Sequence, residues 1–294
     1  MLRILPKGRL DMDDRDNNQP VLSFEFLEDV MALPRQASER LISEAEIFRI
    51  GPLVEYAYHE WKSVSERLAS KRHCPAVNCL AEIVTTPGLS PLPLLSALEA
   101  STFVEFSWTP QTEEQTIDPR WIAFCKRLMD AGIKAGLTKK FSQGLVGTVE
   151  EMTCNIFEHS ENVSSGLAGY RWAPGEFEYV VADSGIGVLS SLRKHSDYSW
   201  LDDAGQALEV AVCDGESRFG RGAHRGTGFH HLLYNIASRD SYVRFRSGDH
   251  CYTIDGTLQP ILKRTYPCPP IDGFLISLVA TAAPSKNKSL TLLC

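Results

Sequence analysis

The order of apolar and polar positions divides the chain into two unequal parts. In the first, VLSFEF (21–26) alternates weakly, the period of a half-buried strand. ERLISEAEIFRI (39–50) and LVEYAYHEWKSVSERLASKR (53–72) carry helical spacing instead, with Leu53, Ala57, Trp61, Val64 and Leu68 on one face of the second. TTPGLSPLP (85–93) then concentrates Pro, Gly and Ser, the composition of a linker, and sets a domain boundary. Beyond it STFVEFSW (101–108) reads as a strand. DPRWIAFCKRLMDAGIKAG (118–136) follows as a helix, with Asp118 as N-cap and Pro119 at the first helical position. SQGLVGTVEEMTCNIFEHS (142–160) is a second helix, its stripe made by Leu145, Val149, Met152 and Ile156. GEFEYVVAD (175–183) is a strand; LDDAGQALEVAVCDG (201–215) and FHHLLYNIAS (229–238) are helices; SYVRFRSGD (241–249), HCYTIDG (250–256) and GFLISLVAT (273–281) are late strands. The sum predicts an α+β fold, a mixed sheet with helices on one face, preceded by a smaller and largely helical N-terminal domain. The expected division is 1–99, 100–284 and a tail of 285–294.

Composition narrows the setting. In 294 residues, 43% are hydrophobic and 23% charged, the balance of a globular protein. A formal net charge of −7 argues against a nucleic-acid partner. No apolar run of about eighteen residues predicts a membrane span, and MLRILPKGRLDMDD lacks the apolar core of a secretory signal, so the expected compartment is the cytoplasm. The eight cysteines repeat no spacing, which speaks against a disulfide framework. His73, Cys74 and Cys79 are too few and too widely spaced for a structural zinc site, leaving inert thiols as the expectation.

Candidate chemistry concentrates between Glu150 and Gly228. In EEMTCNIFEHS (150–160), Glu151, Asn155 and His159 fall four apart and share a helical face. An amide oxygen suits Mg2+, which takes hard oxygen ligands, and a carboxylate can orient or deprotonate water. The alternative is an ordinary amphipathic helix with its polar face in water. In EYVVADSGIGVLSSL (178–192) a strand ends on Asp183, with Gly185 and Gly187 behind it. An ionised carboxylate there accepts hydrogen bonds, such as one from the amino group of adenine, and the glycines permit a sharp turn and close approach; a capping Asp in a strand-to-helix turn is the plainer alternative. GRGAHRGTGFHHLL (220–233) interleaves Gly220, Gly222, Gly226 and Gly228 with Arg221 and Arg225, in the manner of a mobile lid over phosphates or of a solvated surface loop. There is no P-loop sequence, and the Asp precedes its glycines, against the Rossmann order.

Taken in order, the three segments resemble the GHKL superfamily of ATPases, over roughly 101–283. EEMTCNIFEHS resembles the N box, ADSGIG the D-x-G-x-G box and RGTGFHHL the second glycine box. The resemblance implies a two-layer α/β sandwich of Bergerat type that binds Mg-ATP. It implies Glu151 as catalytic base and Asn155 as Mg2+ ligand. It implies Asp183 on adenine, with Gly185 and Gly187 shaping that pocket, and Arg221, Gly226, Thr227 and Gly228 at the phosphates beneath a lid of about 215–225. A late-strand threonine that lines the adenine pocket in many members is replaced by Gly273-Phe274, leaving Thr253 or Ser277 to supply the contact.

The layout is closest to anti-sigma-factor kinases and stand-alone ATP-binding modules. Only a short stretch follows Ala283, where the gyrase type carries a transducer domain. His59-Glu60 is the one candidate phosphoacceptor, but it lies off the apolar stripe and lacks the Arg and Pro that follow in histidine kinases, so a surface histidine is the expectation. The expected protein is therefore a cytoplasmic Mg-ATP-binding regulator, an ATPase or kinase acting slowly or on a protein partner, with homodimerisation as in many relatives. A nucleotide-sensing module without turnover, and a histidine or serine protein kinase, are the alternatives.

Overall fold

The structure, a computed structural model, describes residues 23–33, 37, 41, 49–59, 103–110, 112–212, 241–258 and 260–282. These form an α+β unit around a five-stranded sheet of order β1-β2-β3-β5-β4, built from β1 (Phe103–Trp108), β2 (Leu167–Ala173), β3 (Glu176–Asp183), β4 (Ser241–Asp255) and β5 (Leu262–Thr281). Every described pairing is antiparallel, so the mixed sheet expected from the sequence is not what these strands form.

One face of the sheet packs against α4 (Pro119–Lys134) and α5 (Lys139–His159), with α7 (Ala204–Ala211) at its far end. A four-residue helix, α3 (Glu113–Thr116), precedes α4. The expected caps are present: Asp118 accepts the Arg120 N–H at 2.7 Å, with Pro119 at the first turn. Helix α5 begins earlier than its apolar stripe, because Thr138 caps it by accepting the Phe141 N–H at 3.3 Å. Leu145, Val149, Met152 and Ile156 all enter the core, facing Tyr179 and Val181 of β3 and Ile276 and Leu278 of β5.

The opposite face is covered too. Helices α1 (Phe24–Met31) and α2 (Ile50–His59) share a second core with Val104 and Phe106 of β1, Leu167 of β2, Val180 and Ala182 of β3, and Ile271 and Leu275 of β5. The described part of the fold thus has helices on both faces, not on one. Helix α1 also corrects the strand expected at 21–26. Phe24, Leu27 and Val30 recur every three residues and are buried, and Ser23 caps the helix by accepting the Phe26 N–H at 3.2 Å. A short alternating run fits both periods, and the cap decides for the helix.

Helix α2 is tied to the sheet by buried polar groups. The Glu178 carboxylate accepts the Gly51 N–H at 2.7 Å and the Ile50 N–H at 3.2 Å, capping the helix across the core. Glu55 is fully buried and forks onto Arg244, at 2.6 Å from Nε and 2.8 Å from Nη2, while also meeting Arg246. Burial alone would raise the Glu55 pKa; the two guanidinium groups reverse this and hold it below the usual carboxylate value. Arg244 further donates to Glu28 of α1 at 2.7 Å and to the Tyr266 hydroxyl at 2.6 Å. Removing one member of such a network leaves a buried charge uncompensated, a loss of about 3–5 kcal/mol.

The strands expected at 241–249 and 250–256 are one strand, β4, irregular at Gly248. It pairs along its length with β5, which starts eleven residues before the expected GFLISLVAT. Expectations for 60–99, for the helix at 229–238, for most of 39–48 and for the His59 side chain lie outside the described residues.

Candidate functional site

The site is built where α5 ends and β3 ends. Strand β3 places Asp183 on the face covered by α5, at its last position, paired with Phe274 of β5. The chain then turns through Ser184, Gly185 and Ile186 into the short helix α6 (Gly187–Leu192). This turn is pressed on the C-terminus of α5: the Ile186 N–H donates to the Ser160 carbonyl at 2.9 Å. At Gly185 a Cβ would stand 2.1 Å from that same carbonyl oxygen, so only glycine fits. Gly187 has φ +75°, a conformation that favours glycine, and a Cβ there would meet Ser247 Oγ at 2.9 Å. The first two sequence signatures are therefore joined in space, and the glycines between them serve the junction.

Asp183 is the electrostatic centre of this corner. Its Oδ1 accepts the Gly185 N–H at 2.6 Å, whereas Oδ2 is buried with no hydrogen-bond partner among the described residues. Burial pushes its pKa from 3.8 up to about 7, against the opposing pull of the Gly185 and Phe274 N–H groups. A buried carboxylate oxygen without a donor is costly, and a ligand N–H placed there removes that cost.

Glu151, Asn155 and His159 lie half-buried along α5, as their four-residue spacing requires. The Asn155 amide nitrogen faces Met152 Sδ at 3.9 Å, which turns its oxygen another way. His159 Nε2 stands 3.7 Å from Glu158. The surroundings are acidic: the Cys154 thiol is pushed up to about 11, by burial first and then by the charges of Glu151, Glu158, Glu150 and Glu113. That field favours a cation. Among the described residues no three His, Cys, Asp or Glu side chains form a metal site of their own. Mg2+ held by one amide oxygen and the phosphates of a nucleotide needs no such cluster.

Four residues, Ser247, Ser165, Tyr58 and Asn162, were not anticipated from the sequence. Ser247 donates to the Gly273 carbonyl at 2.7 Å and accepts the Val188 N–H at 2.9 Å, locking the start of α6 to the sheet. Its hydroxyl borders the Asp183 turn. Thr253 pairs with Arg264 in the far half of the hairpin, and Ser277 lies under Gly51 of α2. Ser165 accepts the Ser184 N–H at 2.9 Å, and its own carbonyl accepts the Tyr58 hydroxyl of α2 at 2.9 Å. Tyr58 stays protonated because it is buried and, secondarily, because it feels the Asp183 charge. Asn162 completes the corner by donating to the Ser184 carbonyl at 3.2 Å. No periodicity marks these residues; Tyr58 and Ser165 are 107 positions apart.

Arg221, Gly226, Thr227 and Gly228, with the whole lid segment, lie outside the described residues. No protein-family model matches the chain, and no curated protein matches it in sequence. No described helix is long and apolar enough to cross a membrane.

Proposed function

We propose that this protein is a GHKL-type binder of Mg-ATP whose N-terminal helices relay the state of the site to a protein partner. The observation that carries the proposal is the buried, donor-lacking Oδ2 of Asp183 at the start of a glycine turn. Such an acceptor fits an exocyclic amine, which adenine has and guanine lacks at the same position. Asn155, on the acidic face of the adjoining helix, is the fitting ligand for Mg2+. Glu151, one turn earlier, is the residue to orient or deprotonate a water. Arg221, Gly226, Thr227 and Gly228 are proposed at the phosphates on their sequence alone. When bound, Mg-ATP supplies the transferable phosphoryl group and the cation that offsets its charge. The protein contributes the fixed acceptor, the amide ligand and the base.

Regulation rather than rapid turnover is favoured by the Tyr58–Ser165–Ser184 chain, which makes α2 a neighbour of the nucleotide turn. The absence of a nucleic-acid partner, cytoplasmic location and homodimerisation belong to the same proposal. A thermal-shift series with ATP, ADP and GTP, with and without Mg2+, tests it. Saturating ATP at about a hundred times Kd adds about 2.7 kcal/mol to stability, a shift of several degrees. Equal shifts with GTP, or none with any nucleotide, would refute it.

A further inference from the structure

We propose that Ser247 is the positioning residue of the Asp183 carboxylate, which it sets by bridging the two chain segments that flank it. The functional side of this inference rests on Asp183 being the nucleotide acceptor. Val243 and Phe245 of β4 enter the core beneath α5, and Ser247, next in the alternation, stands on the same face. It is buried where the regular register of β4 and β5 ends: Ser247 pairs with Phe274, but Gly248 pairs with Ile271. Asp272 and Gly273 thus stand out of register, and the Gly273 carbonyl has to find its hydrogen bond off the ladder. The Ser247 hydroxyl supplies it, donating at 2.7 Å. The same oxygen accepts the Val188 N–H at 2.9 Å. Helix α6 begins here with no side-chain cap from Ile186, its N-cap residue, so a serine 59 positions away caps it instead. A hydroxyl donates one hydrogen bond, and using it on Gly273 while accepting from Val188 fixes its orientation.

Both bridged segments lie against Asp183. On one side Phe274 pairs with Asp183 in register. Gly273 runs so close that a Cβ there would stand 2.1 Å from the Asp183 carbonyl oxygen and 2.6 Å from Oδ1. Gly273 also has φ +71°, a conformation that favours glycine, so this approach is built into the backbone. On the other side the turn into α6 carries Gly185, whose N–H donates to Oδ1 at 2.6 Å. Oδ1 is thus enclosed between Gly185 and Gly273, and Oδ2 is the oxygen without a donor among the described residues. Ser247 fastens the Gly273 side to the α6 side, and so fixes the direction in which Oδ2 is presented. Alanine at this position would release the Gly273 carbonyl and the Val188 N–H together. An acceptor that has to be reordered on binding holds its ligand less tightly than one fixed beforehand.

The test is a double-mutant cycle on the full chain without nucleotide, followed by calorimetry with Mg-ATP. Wild type, Ser247→Ala, Asp183→Asn and the double variant are unfolded in urea. If Ser247 acts through Asp183, the two changes do not combine independently. The effect of the double variant on the unfolding constant is then expected to differ by more than about twofold from the product of the single effects. Agreement with that product overturns the proposal, because a merely structural serine loses its bonds whether or not the carboxylate is present. In calorimetry, Ser247→Ala is expected to bind Mg-ATP about tenfold more weakly than wild type, the effect of about two ordinary hydrogen bonds. Undiminished affinity also overturns the proposal. If wild type binds no nucleotide, the ATP reading fails by itself, and the cycle still decides whether Ser247 sets Asp183. Ser247→Cys, close in size but a weak donor and acceptor, replaces the alanine variant in both experiments if that variant does not unfold cooperatively.

Discussion

The Ser160 carbonyl accepts the Ile186 N–H at 2.9 Å, which fastens the end of α5 to the turn that follows Asp183. A helix bearing Glu151 and Asn155 and a turn bearing Asp183 become one corner through this contact. Gly185 lies against the same oxygen, so Gly185→Ala, with its Cβ at 2.1 Å, must push the turn away. The expected loss is about 1–3 kcal/mol in urea unfolding, as for other overpacked sites, together with loss of ATP binding by calorimetry.

The N-terminal helices are predicted to be indispensable to the sheet. Deleting residues 1–102 uncovers Val104, Phe106, Leu167, Val180, Ala182, Ile271 and Leu275 and strips Arg244 and Arg246 of Glu55. The truncated chain is expected to aggregate, as judged by size-exclusion chromatography. A monodisperse, cooperatively melting fragment would contradict this. Within the full chain, Glu55→Ala is expected to cost about 3–5 kcal/mol.

The raised pKa of Asp183 has a definite sign. Its folded value of about 7 exceeds the reference value of 3.8, so the native state holds the proton more tightly between these limits. Its contribution to stability is therefore present at low pH and is lost as pH rises from about 4 through about 7, flattening above. Asp183→Asn is expected to abolish that slope in a series of melts. A ligand N–H favours the ionised form, so ATP affinity is expected to rise up to about tenfold per pH unit below about 7 and then to level off.

Glu151→Gln separates turnover from binding. If Glu151 is the base, phosphate release falls by about a hundredfold or more while calorimetric ATP affinity is retained. Phosphate release no higher in wild type than in the variant would assign the protein to the nucleotide-sensing class.

Long stripes and strong caps made much of the fold legible. Leu145, Val149, Met152 and Ile156 gave α5 its face, and Asp118-Pro119 gave α4 its start. Strand β2 was missed because LAGYRWA breaks its alternation with Gly169, where Phe106 of β1 occupies the space of a side chain. The first half of β5 was missed because KRTYPCPP carries prolines and charge, tolerated where the hairpin bulges. The cover supplied by α1 and α2 rests on Glu178, Glu55 and Tyr58, whose partners are 107 to 191 residues away; no local pattern encodes such pairings. Of the site, Asp183 and its glycines were legible because turn geometry is local. Ser247 and Ser165 were not, because tertiary contact alone brings them to the turn.

If Asp183 Oδ2 accepts an adenine amine, replacing that oxygen with an amide must remove ATP binding. Isothermal titration calorimetry of Mg-ATP into wild type and Asp183→Asn tests it most directly, provided both melt cooperatively. Saturable binding to wild type and none detectable to the variant is expected; equal affinity for both would leave Asp183 no part in nucleotide binding.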